Sequence, residues 1–137
     1  MKRNIRLGDE NGFTLTELLV VIVIIGILAA LAIPRFLSVT TNAKMTEAKL
    51  MLKQLYNLER AYYLENDAYS EDLLALGFEQ EKLKSEGGSA RYRIAITSAT
   101  ATEFLATATA VVDFDNDGAF NVWSINHAGE LKQVVVD

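Results

Sequence analysis

An uncharged, strongly apolar run near the start of the chain constrains its fold more than any other feature. From Leu18 to Pro34 the sequence contains no charged residue, a length of about 17 residues or roughly 25 Å of α-helix. Counted from Phe13, the run has about 22 residues and ~33 Å, which is enough to cross a lipid bilayer. The sequence therefore predicts one membrane-spanning helix that begins close to Phe13.

The residues before this run form a short polar segment, MKRNIRLGDENG, with basic side chains at Lys2, Arg3 and Arg6. An ordinary secretory signal has its cleavage site after its apolar stretch, whereas here the only obvious junction, Gly12–Phe13, precedes it. Cleavage at this junction would remove residues 1–12 as a leader and leave the apolar helix on the mature protein. Because basic residues favour the cytoplasmic side, we predict a single-pass protein with its N-terminus inside and its C-terminal part outside.

Glu17 is a charged side chain inside the stretch counted from Phe13. A charge in the hydrocarbon region costs roughly 2.5–3.5 kcal/mol even on lenient insertion scales. Close to a helix end, the side chain can extend to the lipid headgroups and avoid most of this cost. The alternative is that Glu17 has a specific partner that stabilises it.

The residues around Glu17 resemble the class III signal of type IV prepilins and pseudopilins. Gly12, Phe13, Thr14 and Glu17 are followed by the apolar run, and the resemblance extends over roughly residues 8–60. It implies that a prepilin peptidase in the inner membrane cuts after Gly12 and methylates the new amino group of Phe13. It also implies that the protein assembles into a filament with copies of itself.

The resemblance offers a partner for Glu17. Cleavage creates an α-amino group on Phe13, which is largely cationic at neutral pH. In a staggered stack of parallel helices, Glu17 of one subunit can face the amine of a neighbour. Because an unpaired buried charge is costly, this pairing would set the axial register of the helices.

The resemblance further implies that the segment from Gly26 to Pro34 loses helicity on assembly. By the proline rule alone, a fixed kink at Pro34 is the alternative.

Beyond Pro34 the sequence becomes amphipathic. Apolar residues recur at spacings of three and four, which predicts a helix with one buried face. We predict one helix from about residue 13 to about residue 65, whose buried stripe consists of Met45, Ala48, Leu52, Leu55, Leu58 and Tyr62.

The C-terminal half has the pattern of a small sheet. The run EDLLALGF predicts a short helix capped by Ser70 and ended by Gly77, and EQEKLKSEGGSA predicts an exposed loop. Four strand candidates follow with short connections, which favours an antiparallel meander; they are RYRIAIT, FLATATAVV, FNVWSI and ELKQVVV.

The predicted fold class is therefore α+β, with a long N-terminal α-helix packed on a four-stranded antiparallel sheet, which is also the pilin fold. The predicted organisation is a leader at 1–12, a transmembrane and filament-core helix at 13–34 and a globular domain at 35–137. Within that domain we expect the helix to continue over 35–65, a loop over 66–90 and the sheet over 91–137.

Asp113, Asp115 and Asp117 spell D-x-D-x-D-G with Gly118, which is the opening of a calcium loop. A complete EF-hand loop ends with a bidentate glutamate at its twelfth position, and that position here is Ser124. Aspartate and asparagine beside glycine are equally typical of a tight hairpin turn. Calcium is the candidate ligand, and a plain turn is the alternative.

Charge and composition argue against several other functions. The chain has a net charge of −5 at pH 7, and an acidic protein is a poor general binder of nucleic acid because phosphate contacts need lysine and arginine. We interpret Lys82, Lys84, Arg91 and Arg93 as a solvated loop and strand edge. The chain has no cysteine, and His127 is its only histidine, so no catalytic triad or cofactor site can be assembled around it.

We therefore predict a structural protein and no enzyme, with no cofactor except a candidate calcium ion. The leading hypothesis is the subunit of a type IV pilus, and the alternative is a pseudopilin of a type II secretion system. The predicted partners are copies of the chain itself, prepilin peptidase, the assembly platform of the inner membrane, and membrane lipid before assembly. We expect a single-pass inner-membrane precursor that later becomes part of an extracellular pilus used for motility, adhesion or DNA uptake.

Overall fold

The computed structural model describes residues 12–136, so the predicted leader, apart from Gly12, lies outside the described residues. One long helix precedes a short 3-10 helix and a four-stranded sheet. The elements in chain order are α1 Leu15–Asn66, the 3-10 helix Lys84–Glu86, β1 Tyr92–Ala99, β2 Phe104–Ala110, β3 Val122–Asn126 and β4 Leu131–Val135.

The chain divides into two compact units, the first ending at Val39 and the second beginning at Thr40. α1 contributes residues to both units, and its helical backbone is continuous through Gly26 and Pro34. The predicted helix of about residues 13–65 is therefore confirmed. In the first unit, every residue from Leu15 to Ile33 is exposed, because no other described element covers this part of α1.

The sheet is an antiparallel meander in the order β1-β2-β3-β4, as the short connections predict. Ala108 in the middle of β2 is opposite Ile94 of β1 and Trp123 of β3. Because side chains in a strand alternate between the two faces, this register places all three residues on the same face of the sheet. All three are buried, which identifies this face as the core face.

One hydrophobic core holds the second unit together. The helical stripe buries Met45, Ala48, Leu52 and Leu55, while Leu58 and Tyr62 are partly buried, so the predicted stripe is confirmed. The predicted α+β pilin-type fold, with a helix packed on an antiparallel sheet, is confirmed as well. The stripe packs with buried residues of the first three strands, which are Tyr92, Ile94, Phe104, Ala106, Ala108, Ala110, Trp123 and Ile125.

The predicted short helix at EDLLALGF is wrong, because the chain forms turns there. Ser70 Oγ accepts a hydrogen bond from the Asp72 N–H (3.0 Å), and Asp72 Oδ1 accepts one from the Leu74 N–H (2.9 Å). Such side-chain bonds to nearby backbone groups compete with helix formation. Gly77 ends this segment with a positive φ of 71°, as its glycine identity predicts.

The segment predicted as an exposed loop, residues 79–90, is more ordered than expected. Leu83 and Ala90 are buried, and the backbone N–H groups of Ser89 and Ala90 both donate to the carbonyl of Lys82. A Cβ atom at Gly88 would lie only 1.9 Å from that carbonyl oxygen, so this close approach of two backbone segments requires glycine.

Gln80 connects this segment to β1. Its Nε2 donates to the carbonyl of Tyr92 (3.2 Å), and its Oε1 accepts a hydrogen bond from the N–H of Ile94 (2.9 Å). The side-chain amide thus makes the pair of bonds that a neighbouring strand would make with β1.

Candidate assembly site

The start of α1 is organised by Thr14 and Glu17. The Thr14 N–H and hydroxyl group both donate to Glu17 Oε2 at 2.9 Å, and the Glu17 N–H donates to Thr14 Oγ1 at 3.2 Å. This reciprocal pattern is a capping box, in which the residue before the helix and the third helical residue satisfy each other's backbone N–H groups. Glu17 therefore has a local partner that the sequence prediction missed, although the T-x-x-E spacing is its usual signal.

The predicted cleavage site lies immediately before this capping box. Gly12, Phe13 and Thr14 are exposed and lie outside the helix, and the side chain of Phe13 is among the most exposed apolar groups of the described chain. The capping box uses the N–H of Thr14 and not that of Phe13. Cleavage between Gly12 and Phe13 would consequently leave all three hydrogen bonds in place.

The apolar segment after the capping box has the properties of a membrane span. Among residues 12–136, it is the one helical stretch long and apolar enough to cross a bilayer, and it runs from Leu15 to Ile33 with a mean hydropathy of 2.8. Gly26 lies inside it, and a Cβ atom added there would meet nothing within 4 Å. In the single chain the glycine is therefore not required by a close contact with described residues.

The three aspartates form a compact acidic turn. One carboxylate oxygen from each of Asp113, Asp115 and Asp117 lies within 4.8 Å of the others. Asp113 accepts hydrogen bonds from the N–H groups of Asn116 (2.6 Å) and Gly118 (2.8 Å). These are the bonds of a tight aspartate turn, which is the alternative that the sequence left open.

The pKa of Asp113 reflects this geometry. Partial desolvation raises it, but hydrogen bonds from the backbone N–H groups of Gly118, Asn116, Asp115 and Asp117 together bring the pKa below its ordinary value. The turn also contacts α1, because the Lys44 ammonium lies 4.8 Å from the centre of the Phe114 ring. A cation bound here would compete with the backbone N–H groups for the oxygens of Asp113.

The basic side chains at the start of the sheet are engaged by glutamates. Arg91 forms an ion pair with Glu47 on α1 at 3.1 Å, and its backbone N–H donates to the same carboxylate at 2.6 Å. Arg93 pairs with Glu86 at 3.4 Å. These pairs reduce the positive potential that the two arginines could offer to a phosphate backbone, which agrees with their interpretation as part of a solvated strand edge.

Glu59 is a notable residue that the sequence analysis missed. It is completely buried in the second unit, and its Oε2 accepts a hydrogen bond from the N–H of Ser70 at 3.0 Å. Burial raises the pKa of this carboxyl group, and the Ser70 hydrogen bond opposes that effect. Glu59 follows Leu55 by four residues and precedes Tyr62 by three, so its position on the apolar face was visible in the sequence.

Two family models match the chain. The model described as a prokaryotic N-terminal methylation motif matches residues 8–33. The model described as type IV minor pilin ComP, DNA uptake sequence receptor, matches residues 34–119, which is more than half of the chain. The resemblance predicted from Gly12, Phe13 and Glu17 is confirmed.

Curated relatives support the same assignment. The type IV major pilin protein PilA of Myxococcus xanthus is 45% identical over 73 residues, which are 53% of this chain and 33% of that protein. The type II secretion system core protein G of Pseudomonas aeruginosa is 47% identical over 61 residues, which are 44% of this chain and 43% of that protein. The type IV wide pilus major component PilA4 of Thermus thermophilus is 36% identical over 94 residues, covering 66% of this chain and 68% of that protein. The chain thus spans less than half the length of the first two relatives and about two thirds of the third.

Proposed function

Because the chain belongs to the type IV pilin family, we propose that it is the structural subunit of a type IV pilus. The observation that carries this proposal is the stretch Leu15–Ile33, which is exposed along its whole length and is apolar on all sides after Glu17. Such a surface needs lipid or other apolar helices around it. In an inner-membrane precursor, lipid would cover this apolar surface. After the subunit joins an extracellular pilus, copies of the same helix would cover it.

Processing would convert the precursor into the assembling subunit. We infer that prepilin peptidase cuts between Gly12 and Phe13 and methylates the new amino group. The position of the bond supports this, because it is exposed and lies outside the helix. The capping box of Thr14 and Glu17 would keep the start of α1 defined after the cut.

Glu17 would then have two roles in the filament. Within its own subunit it caps the helix, and across the subunit interface its negative charge would pair with the amine of Phe13 on a neighbour. Pairing of a charge inside an apolar bundle penalises every register that leaves it unpaired. The segment from Gly26 to Pro34 is the proposed extensible part of α1, since glycine and proline are the weakest helix formers in it.

The test is the chemistry of the mature N-terminus, followed by microscopy. Mass spectrometry of protein from the native host is expected to show a chain beginning at a methylated Phe13. Electron microscopy of sheared cell surfaces is expected to show long filaments that contain this chain. A mature protein that still begins at Met1 would contradict the proposal, and so would correct processing without any filament.

The alternative function is that of a pseudopilin in a type II secretion system, which the similarity to a core protein G favours. Deleting the chain would then abolish secretion of exported proteins and leave surface filaments unchanged. The same experiment performed for a pilin would remove the filaments and leave secretion intact.

Calcium binding at the acidic turn is a separate proposal. The oxygens of Asp113, Asp115 and Asp117 are close enough together to share one hard cation. The test is a calcium titration of the full chain monitored by Trp123 fluorescence, with Asp115→Asn as the comparison. No response up to millimolar calcium would leave the plain turn as the explanation.

A DNA-receptor role, which the ComP description names for that protein, has weak support in this chain. Arg91 and Arg93 are paired with Glu47 and Glu86, and the chain carries a net charge of −5. Of the activities connected with pili, we therefore propose motility or adhesion ahead of DNA uptake.

A further inference from the structure

Glu59 lies in the core of the second unit although its side chain can carry a charge. It is completely buried, and it occupies the face of α1 that also buries Leu52 and Leu55. Its Oε2 accepts the hydrogen bond from the Ser70 N–H, whereas its Oε1 has no hydrogen-bond partner among residues 12–136. If the carboxyl group were charged here, its buried Oε1 would have no hydrogen-bond donor and no cation to stabilise the charge.

No basic side chain on the neighbouring part of α1 pairs with Glu59. Arg60 follows it in the sequence, but its guanidinium carbon lies 5.9 Å from the centre of the Tyr56 ring on the same helix, and Arg60 itself is exposed. Within the described chain, Glu59 has no ion pair with any basic group. The other ionisable side chains on this part of α1 are the phenols of Tyr56, Tyr62 and Tyr63 and the exposed carboxylate of Glu65.

Among the described residues, no cation on the elements packed against this part of α1 forms an ion pair with Glu59. In the turn after α1, burial raises the pKa of the Tyr69 phenol; Tyr63, Tyr56 and Glu59 raise it further, and Arg60 lowers it. The ring of Tyr69 packs on Phe104 at the start of β2, with 5.0 Å between the ring centres. The ionisable groups at this end of the sheet are all exposed, and they are Glu103, His127, Glu130 and Lys132, of which the last two form an ion pair at 3.4 Å. The buried side chain of Glu59 thus has the Ser70 N–H as its one hydrogen-bond donor and no cation paired with it among residues 12–136.

We propose that Glu59 is a proton-operated latch for the turn at residues 67–72. In the neutral form the carboxyl group fits the core and holds the turn through the Ser70 N–H. Loss of the proton places an unpaired negative charge in the core, which weakens the packing of the turn against α1. The geometry points to this device because one oxygen is fully engaged and the other is buried without a partner.

The direction of the pH dependence follows from burial. Since burial raises the pKa of Glu59 in the folded protein, the folded state binds this proton more tightly than the unfolded state does. The stability contributed by Glu59 is then complete below the ordinary pKa of a glutamate and is lost as the pH rises through the folded pKa. An acid with a depressed pKa, such as Asp113, behaves in the opposite way.

The latch connects the end of α1, the turn at residues 67–72 and the connection between β1 and β2. The turn leaves α1 through Asp67, whose φ is 55°, and the N–H of Tyr69 donates to the carbonyl of Thr100 between β1 and β2. The hydroxyl oxygen of Ser70 accepts a hydrogen bond from the N–H of Asp72. Weaker packing around a charged Glu59 would therefore loosen the contact between the end of α1 and the β1–β2 connection.

The experiment follows the Ser70 amide and the stability of the full chain in detergent micelles between about pH 4 and about pH 8. NMR of ¹⁵N-labelled protein reports the Ser70 amide shift, and Trp123 fluorescence reports thermal unfolding. In the wild type we expect the Ser70 amide to titrate above the ordinary glutamate range and the unfolding temperature to fall over the same interval. Glu59→Gln is expected to lose both effects. Glu65→Gln, which removes an exposed charge from the same helix, is expected to keep them.

Two outcomes would overturn the latch. One is a Ser70 amide that titrates only within the ordinary glutamate range, and the other is a Glu59→Gln protein with the wild-type pH profile. If Glu59→Gln does not fold, the wild type decides alone through ¹³C NMR of its glutamate carboxyl groups. A carboxyl signal of a neutral acid that persists above the ordinary range supports the latch, and its absence contradicts it.

Discussion

Two stretches of the same helix use apolar side chains in opposite ways. From Leu18 to Ile33, α1 is apolar on every face, and no other described part of the chain covers it. From Met45 to Glu59 it is apolar on one face, and that face is buried against the sheet. A helix that is apolar on all sides must be buried by lipid or by other chains, whereas an amphipathic helix can bury its apolar face against its own chain.

The two stretches also differ in how they treat a carboxylate. Glu17 lies at the exposed start of the helix and binds Thr14, within reach of further partners. Glu47 and Glu59 face the second unit, where each accepts a backbone N–H at one end of the segment between α1 and β1, from Arg91 and Ser70 respectively. The first carboxylate is suited to assembly between chains, and the other two fix the chain to itself.

The largest effect is expected from removing the charge of Glu17. Glu17→Gln keeps an oxygen for the capping box, since glutamine serves there as well as glutamate, but it cannot pair with an amine. We expect normal cleavage and a near-complete loss of filaments by electron microscopy of sheared cells. Glu65→Gln is the control with an exposed charge elsewhere on α1. Abundant Glu17→Gln filaments of normal geometry would show that the cap alone explains this residue.

The next effect contrasts the buried and exposed leucines of α1. Leu52 is completely buried, so Leu52→Ala is expected to destabilise the second unit by about 2–5 kcal/mol through lost burial and a residual cavity. Leu28 is 61% exposed in the single chain, and Leu28→Ala should leave that unfolding transition unchanged. Thermal unfolding followed by Trp123 fluorescence measures both. Equal destabilisation by the two variants would contradict the claim that only the second stretch is packed within its own chain.

A smaller effect should follow from the ion pair that joins α1 to β1. Glu47→Ala removes the acceptor of both the Arg91 N–H and its guanidinium, and we expect a loss of about 1–3 kcal/mol. Glu86→Ala breaks the more exposed pair with Arg93, which should cost about 0–1 kcal/mol. Urea unfolding of the two variants gives the comparison. A larger loss in Glu86→Ala would mean that the pair on α1 is not the stronger connection.

The smallest effect concerns the acidic turn. Because backbone N–H groups lower the pKa of Asp113, its stabilisation of the turn is present above the ordinary aspartate pKa and is lost as the pH falls through the folded value. We expect the amide signals of Asn116 and Gly118 to shift in NMR spectra over that acidic interval. Asp113→Asn should show no such shift, while Asp117→Asn should retain it. Unchanged titration in Asp113→Asn would assign the shift to another carboxylate.

The sequence was most informative where the pattern is local and periodic. The spacing of Met45, Ala48, Leu52 and Leu55 predicts both the helix and its buried face, and the alternation in RYRIAIT predicts β1. It was less informative at EDLLALGF, because the hydrogen bonds of Ser70 and Asp72 outweigh the helical propensity of the leucines. The family of the chain, in contrast, could be predicted from Gly12, Phe13 and Glu17 together.

Features that depend on distant residues could not be predicted in this way. The spacing of Glu59 indicates the apolar face of α1, but its bond partner Ser70 is reached by its Oε2 only in the folded chain. Gln80 meets Tyr92 and Ile94 through bonds that no local spacing encodes. In both cases a polar side chain replaces a backbone partner, and the choice of partner is made by tertiary packing.

The position of Gln80 has a consequence for how copies of this protein can aggregate. An open strand edge is a template on which another chain can form a further strand. At Tyr92 and Ile94 the template is already occupied, so a second copy would have to displace the amide before it could pair there. Lateral growth by sheet extension is therefore discouraged along β1, so on that side the sheet would not compete with the helix-to-helix assembly that we propose for this chain.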